Sequence, residues 1–183
     1  MIFNHQQYQH QIKHNKSNFN NLTLVKNGLK LIIMKILFVC AGNICRSPMA
    51  EFIAKYLVNR NQIKDVEIKS CGLNGLHNGQ PIHQGSAKML TKYQMDYTGF
   101  VSKQINQTYF DWADQIFVMD NENYEEITNW FGNDPRIKKI TDYGKLNFNE
   151  VPDPWYDHNF QQTYDILFDA IHNFFVKSGL ILL

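Results

Sequence analysis

The sequence predicts one α/β domain in which a four-stranded parallel sheet is covered by helices on both faces. Three observations carry this expectation. Short apolar runs rich in β-branched and aromatic residues alternate with longer helix-like stretches, the first such run is apolar from Ile36 to Cys40, and no internal repeat interrupts the alternation. With 183 residues, of which 44% are hydrophobic, the chain is long enough to bury one core.

Taken in order, residues 35–40 (KILFVC) read as a buried strand. Residues 47–59 follow as a helix, because Ser47 is a good N-cap and Pro48 suits a first helical turn. Residues 66–70 form the second strand, 84–93 the second helix and 115–119 the third strand. A helix over 121–130 stops near Gly132, 137–140 gives a short fourth strand, and 159–177 closes the fold as a helix. Asp111, Asp114 and Asp120, around the third strand, read as caps and turn residues. Crossovers between parallel strands are right-handed, both sheet faces need cover, and ligands of such sheets sit beyond the carboxyl ends of strands. The loop after Cys40 occupies that place.

Composition narrows the function classes. A formal net charge of +1 gives no basis for a nucleic-acid groove or a basic membrane face. No stretch approaches the roughly 18 uncharged apolar residues of a membrane-spanning helix. Residues 29–40 are apolar but broken by Lys30 and Lys35, with no small-residue cleavage site following. Three cysteines, Cys40, Cys45 and Cys71, make neither an even disulfide framework nor a paired metal pattern, so a reducing, cytoplasmic setting is expected. Twelve of the first 21 residues are Asn, Gln or His, too polar a stretch to offset its ordering entropy. Because Met34 stands directly before the first strand, residues 1–33 are expected to be a disordered extension or an upstream misreading of the start, with the domain over 34–183.

The chemistry concentrates in Cys40, Ala41, Gly42, Asn43, Ile44, Cys45, Arg46, Ser47 and Pro48, a Cys-x5-Arg-Ser-Pro loop between strand and helix. Gly42 and Asn43 tolerate positive φ, so the backbone can curl until successive N–H groups face one concavity that binds an oxyanion. The helix start adds partial positive charge, and Arg46 can offer two parallel donors to phosphate oxygens. These same groups favour the thiolate of Cys40, the nucleophilic form. A second segment, VPDPWY over 151–156, sets Asp153 between two prolines in a stiff extended loop rather than a helix. Such a carboxylic acid can protonate a leaving alkoxide or phenoxide.

The segment VCxGNxCRSPxAE after a strand resembles the low-molecular-weight protein tyrosine phosphatases very closely, over roughly residues 35–177. The resemblance implies a flavodoxin-like fold of the phosphotyrosine protein phosphatase I-like kind. It implies Cys40 as nucleophile, Arg46 as phosphate clamp and Asp153 as general acid, with Ala41, Gly42, Asn43, Ile44 and Cys45 cradling the phosphate. Ser47 would hold the thiolate, and Asn43 would shape the loop with Ser70 as its partner. The family's Asp-Pro-aromatic-aromatic loop is matched by Asp153, Pro154, Trp155 and Tyr156, so Trp155 and Tyr156 would wall the cleft and suit a flat phosphotyrosine ring. No metal or other cofactor is implied, because N–H groups and Arg46 handle the charge. The implied partners are tyrosine-phosphorylated proteins, a tyrosine kinase among them, acted on by a monomer or weak oligomer.

Two departures bear on substrate preference. Leu76, followed by His77, stands where the family usually has an aromatic, and Asp157 and His158 replace its common glycines after the acid loop. His77 and His158 receive no role from the sequence. Cys45, five residues after Cys40, is placed for a reversible disulfide that would protect the nucleophile. Two other classes compete. A thioredoxin-coupled arsenate reductase uses a similar loop but needs downstream cysteines, and here only Cys71 follows. A non-catalytic phosphoprotein-binding module would need neither nucleophile nor acid.

Overall fold

The computed structural model describes residues 33–182. The expectation for residues 1–33 therefore lies, but for its last residue, outside the described residues. The first strand, β1 (Met34–Cys40), is apolar on both faces because it lies in the middle of the sheet, and Ile36, Leu37, Phe38 and Val39 are fully buried. Helix α1 (Arg46–Arg60) follows, then β2 (Val66–Gly72), α2 (Gln84–Lys92), α3 (Gln107–Trp112), β3 (Gln115–Val118), α4 (Asn121–Phe131), β4 (Ile137–Lys139), a 3-10 turn (Ile140–Tyr143), α5 (Pro154–Asp157) and α6 (Phe160–Lys177). The sheet is four-stranded in the order β2-β1-β3-β4 and parallel throughout.

Alternation along β1 feeds two cores. Leu37 and Val39 join Cys71, Ile116, Val118, Phe110 and Ile127 on the face covered by α3 and α4. On the other face Phe38 meets Phe117, and Phe117 meets Phe174 of α6 edge-on at 4.8 Å between ring centroids. Helices α1 and α6 pack together there. The chain leaves β1 for β2 on one side and later returns to β3 on the other, so the carboxyl end of β1 is the switch point of the sheet.

Three local expectations need correction. Ser47 does not cap α1: Cys45 is the N-cap residue and no side chain caps the helix, because the Ser47 hydroxyl is used by the loop before it. The segment after Asp153 is not extended. Asp153 itself is, but its carboxylate caps a single helical turn, accepting from Trp155 N at 3.1 Å, and Pro154 begins that turn. The short helix α3 was not foreseen; Asp111 lies inside it, accepting from Gln107 Nε2 at 2.8 Å, rather than at a cap or turn. Asp114 instead accepts from the backbone N of Lys35 in β1, while Asp120 caps α4 through Asn123 N.

Candidate active site

The loop from Cys40 to Arg46 is shaped by its carbonyl groups. The carbonyls of Cys40 and Ala41 accept from Leu73 N and Asn74 N, each at 2.9 Å, and that of Ile44 from His83 N at 2.9 Å. The Cys45 carbonyl accepts from Ser86 Oγ at 3.2 Å. Carbonyl and N–H point opposite ways across a trans peptide, so anchoring these oxygens outward turns the N–H groups of Ala41, Gly42, Cys45 and Arg46 inward. Asn43 supplies the left-handed residue, at φ 53°. The sequence argument for Gly42 fails in its reason, because Gly42 is not among the positive-φ residues. Glycine is required there by space: a Cβ would stand 2.7 Å from Cδ2 of His77. Gly72, at the end of β2, is held to glycine in the same way, since its Cβ would stand 2.9 Å from the carbonyl carbon of Gly42.

Beneath the loop runs a buried polar chain. Asn43 Nδ2 donates to Ser47 Oγ at 2.9 Å and to Ser70 Oγ at 2.8 Å, while Asn43 Oδ1 accepts from Lys103 N at 2.9 Å. Ser70 Oγ donates onward to Glu51 Oε2 at 2.6 Å, and Glu51 is paired with Lys55 one turn along α1. Ser47 Oγ lies 3.0 Å from Cys40 Sγ. Every member of this network has a partner, the condition under which buried polar groups fix one conformation.

Arg46 is 3% exposed, and its guanidinium is held between two carboxylates. Nη1 donates to Asp120 Oδ2 and, at 3.2 Å, to the carbonyl of Val151; Nη2 donates to Asp153 Oδ2 at 2.5 Å. Burial works against its charge, but the charges of Cys40, Asp153 and Asp120 outweigh that cost and hold Arg46 above the usual arginine range. Arg46 Nε is buried and has no partner among the described residues. The segment bearing Asp153 is strapped to the sheet by Val151 N donating to the carbonyl of Met119 at 2.8 Å.

These parts line one cleft of ≈ 260 Å³. Cys40, Ala41, Gly42, Ile44, Cys45 and Arg46 form its floor, with Asp153, Trp155 and Tyr156 on one side and Asn74, Leu76 and His77 on the other. Of the residues singled out from the sequence, Asn43, Ser47 and Ser70 lie below the floor as supports, while His158 is not in the cleft lining. Three residues of the site received no site role from the sequence: Asn74 and His77 in the cleft lining, and Asp120 outside it. Asp120 is both a helix cap and the partner of Arg46, and its place directly after β3, the neighbour of β1, was the available signal. His77 has no such signal, since its position depends on how the loop after β2 folds back over Gly42.

The model of the family described as "Low molecular weight phosphotyrosine protein phosphatase" matches residues 35–179. The chain belongs to this family. It is similar to the low molecular weight protein-tyrosine-phosphatase PtpA of Staphylococcus aureus (strain MRSA252), with 33% identity over 145 residues, covering 77% of this chain and 91% of the relative. Among solved structures it is similar to YfkJ from Bacillus subtilis, with a TM-score of 0.76 and 31% identity over 80% of this chain and 96% of the other. It is similar also to SP-PTP, a low molecular weight protein tyrosine phosphatase from Streptococcus pyogenes, with a TM-score of 0.71 and 34% identity over 79% and 93% of the two chains. In this member of the family the three cysteines are free thiols. Burial, with Cys40 and Asp153 adding to it, pushes Cys45 up to about 12; burial, with Glu51 adding, pushes Cys71 up to about 12.

Proposed function

We propose that this chain is a protein-tyrosine-phosphatase that hydrolyses phosphotyrosine and other aryl phosphate monoesters. The observation that carries the reading is the convergence of Cys40, Arg46 and Asp153 on one cleft, with Arg46 Nε buried and unpaired beside a ring of inward N–H groups. A phosphate dianion takes the N–H groups together with Nε and Nη2 of Arg46, displacing Asp153 from Nη2. The Cys40 thiolate, steadied by the Ser47 hydroxyl, then attacks phosphorus. The P–O bond to the leaving phenol breaks as the S–P bond forms, and the proton of Asp153 goes to the departing oxygen. Water, deprotonated by the resulting Asp153 carboxylate, attacks the cysteinyl-phosphate, releasing inorganic phosphate and restoring the thiolate. Asp120 keeps Arg46 aimed throughout.

Trp155, Tyr156 and Leu76 would bound the aryl ring. The implied substrates are tyrosine-phosphorylated proteins, a tyrosine kinase among them, in the cytoplasm, with the enzyme a monomer or weak oligomer; three free thiols suit a reducing compartment. Among the described residues no helix is long and apolar enough to cross a membrane. The domain is taken as 34–183 and residues 1–33 as an extension. An arsenate reductase relay finds no support, because Cys71, the one cysteine after the loop, is fully buried in β2. The test is hydrolysis of p-nitrophenyl phosphate and of a phosphotyrosine peptide. Cys40→Ser should abolish both, and Asp153→Asn should slow turnover about 100-fold or more. Turnover retained in Cys40→Ser would sink the reading.

A further inference from the structure

Trp155 walls the cleft, yet the core does not choose its rotamer. The residue is 49% exposed, and its backbone belongs to the single turn of α5. Such a side chain hops between rotamers unless neighbouring rings hold it. Two rings meet it. His77 lies 5.8 Å away between centroids, tilted by 50°, and His83 lies 5.7 Å away, edge-on at 66°. The first contact leads back to the cradle, because the His77 ring rests on Gly42. The second leads, through the His83 ring, to a part of the molecule outside the cleft lining.

The His83 ring is fixed at its edge and on one face. Nδ1 accepts from Gly85 N at 3.1 Å, capping α2, and the face stacks on Phe160 at 5.1 Å with 8° between the planes. Phe160 is fixed in turn by Gly85. Its ring covers that residue so closely that a Cβ there would collide with Cε2, Cζ and Cδ2 of Phe160. Gly85 is not among the positive-φ residues, so the space taken by the ring, and not the backbone, requires glycine at this point. The first turn of α6 is also tied to the end of α2, Gln161 Oε1 accepting from Lys92 Nζ at 2.7 Å. Gly85, Phe160, His83 and Trp155 therefore form a continuous ladder from the starts of two helices to the wall of the cleft.

We propose that Phe160 is a positioning residue: resting on Gly85 and stacked against His83, it holds Trp155 in the pose that meets the aryl ring of the substrate. This rests on the phosphatase reading above. A phosphate group engages the floor, whereas the ladder ends at the wall, so loss of the ladder weakens recognition of the aryl group and leaves the grip on the anion intact. The backbone N of His83, which holds the Ile44 carbonyl of the floor, is untouched by changes at residues 160 and 85.

The test uses the full chain with two variants. Phe160→Leu removes the stacked ring. Gly85→Ala leaves every ring in the chain but displaces the lowest one, and alanine suits a helix better than glycine, so the variant keeps α2. In each, KM for p-nitrophenyl phosphate should rise about fivefold, with kcat and the competitive inhibition constant of inorganic phosphate both within about twofold of the parent. A loss of general order would move the phosphate constant as well. A second measurement does not depend on turnover. The chain has three tryptophans, so 5-fluorotryptophan labelling gives three fluorine resonances, with that of Trp155 assigned by Trp155→Phe. The Trp155 resonance should shift in both variants while those of Trp112 and Trp130 stay in place. If Phe160→Leu fails to fold, Gly85→Ala decides by the same readouts. An unchanged KM, a KM and a phosphate constant that rise together, or an unmoved Trp155 resonance would each overturn the proposal. Turnover of p-nitrophenyl phosphate by the parent chain separates the two levels: its presence alongside an unchanged KM in the variants overturns only the role of Phe160, while its absence overturns the phosphatase reading itself.

Discussion

At the floor of the cleft Cys40 is 3% exposed and just beneath it Asn43 and Ser47 are 1% and 0% exposed, whereas at its rim Leu76, Trp155 and Tyr156 are 80%, 49% and 83% exposed. The floor sits at a strand–helix junction between β1 and α1, with carbonyls anchored outward and side chains tied from Asn43 through Ser70 to Glu51. The rim belongs to turns whose side chains reach solvent. The contrast separates two tasks: chemistry needs groups fixed to fractions of an ångström, and recognition needs surface that can differ between relatives.

If that division is right, substitutions below the floor should cost far more than those at the rim. Asn43→Ala removes the residue that tolerates φ 53° and strips donors from Ser47 and Ser70. It should lower kcat/KM about 100-fold, as a misplaced nucleophile does, and reduce the denaturation midpoint. Leu76→Ala, by contrast, should change kcat/KM by about threefold at most, and a larger loss would break the comparison. Asp120→Asn keeps the shape but removes one charge from Arg46, so kcat should fall about tenfold in steady-state assays. Gly42→Ala puts a methyl group into the His77 ring and should raise KM about fivefold. Adding His77→Ala to the same chain should recover most of that loss, a coupling that a cycle of the two changes measures directly.

The smallest expected effect is at His83, which joins floor to rim. Its backbone N holds the Ile44 carbonyl, Nδ1 accepts from Gly85 N to cap α2, and its ring lies between Trp155 and Phe160. Burial, with His158 and His77 adding to it, lowers its pKa from 6.5. The unfolded chain therefore takes up this proton first as pH falls below 6.5, and the folded state loses stability in that window while keeping it in full above. His83→Asn retains the cap acceptor without the titration, so the acid decline in urea midpoint should flatten. An unchanged decline would remove His83 from the account.

The sheet, its parallel order and the cradle were legible because each rests on residues whose local constraints agree: an apolar strand core, a left-handed Asn, an Arg at the start of a helix. The departures arise where one side chain has two possible uses. Ser47 reads locally as a cap, but Asn43 and Cys40 claim its hydroxyl once β2 brings Ser70 alongside. Asp120 reads as a cap and is one, yet its second oxygen reaches Arg46, which only the β1–β3 pairing makes possible. Helix α3 was invisible because six residues, Gln107–Trp112, with three aromatics carry little helical signal; Asn106 caps it, and Phe110 anchors it in the core. His77 depends on a turn whose path no periodicity encodes.

The lack of a side chain at residue 72 also has a consequence for ligands. A methyl group at that point would press on the main chain of Gly42 from behind and drive it into the cleft. The width of the cleft at its floor is thus set partly by a residue outside its lining. Any attempt to admit a bulkier oxyanion must therefore start from the back of the sheet, where room would have to be made before the cradle could widen.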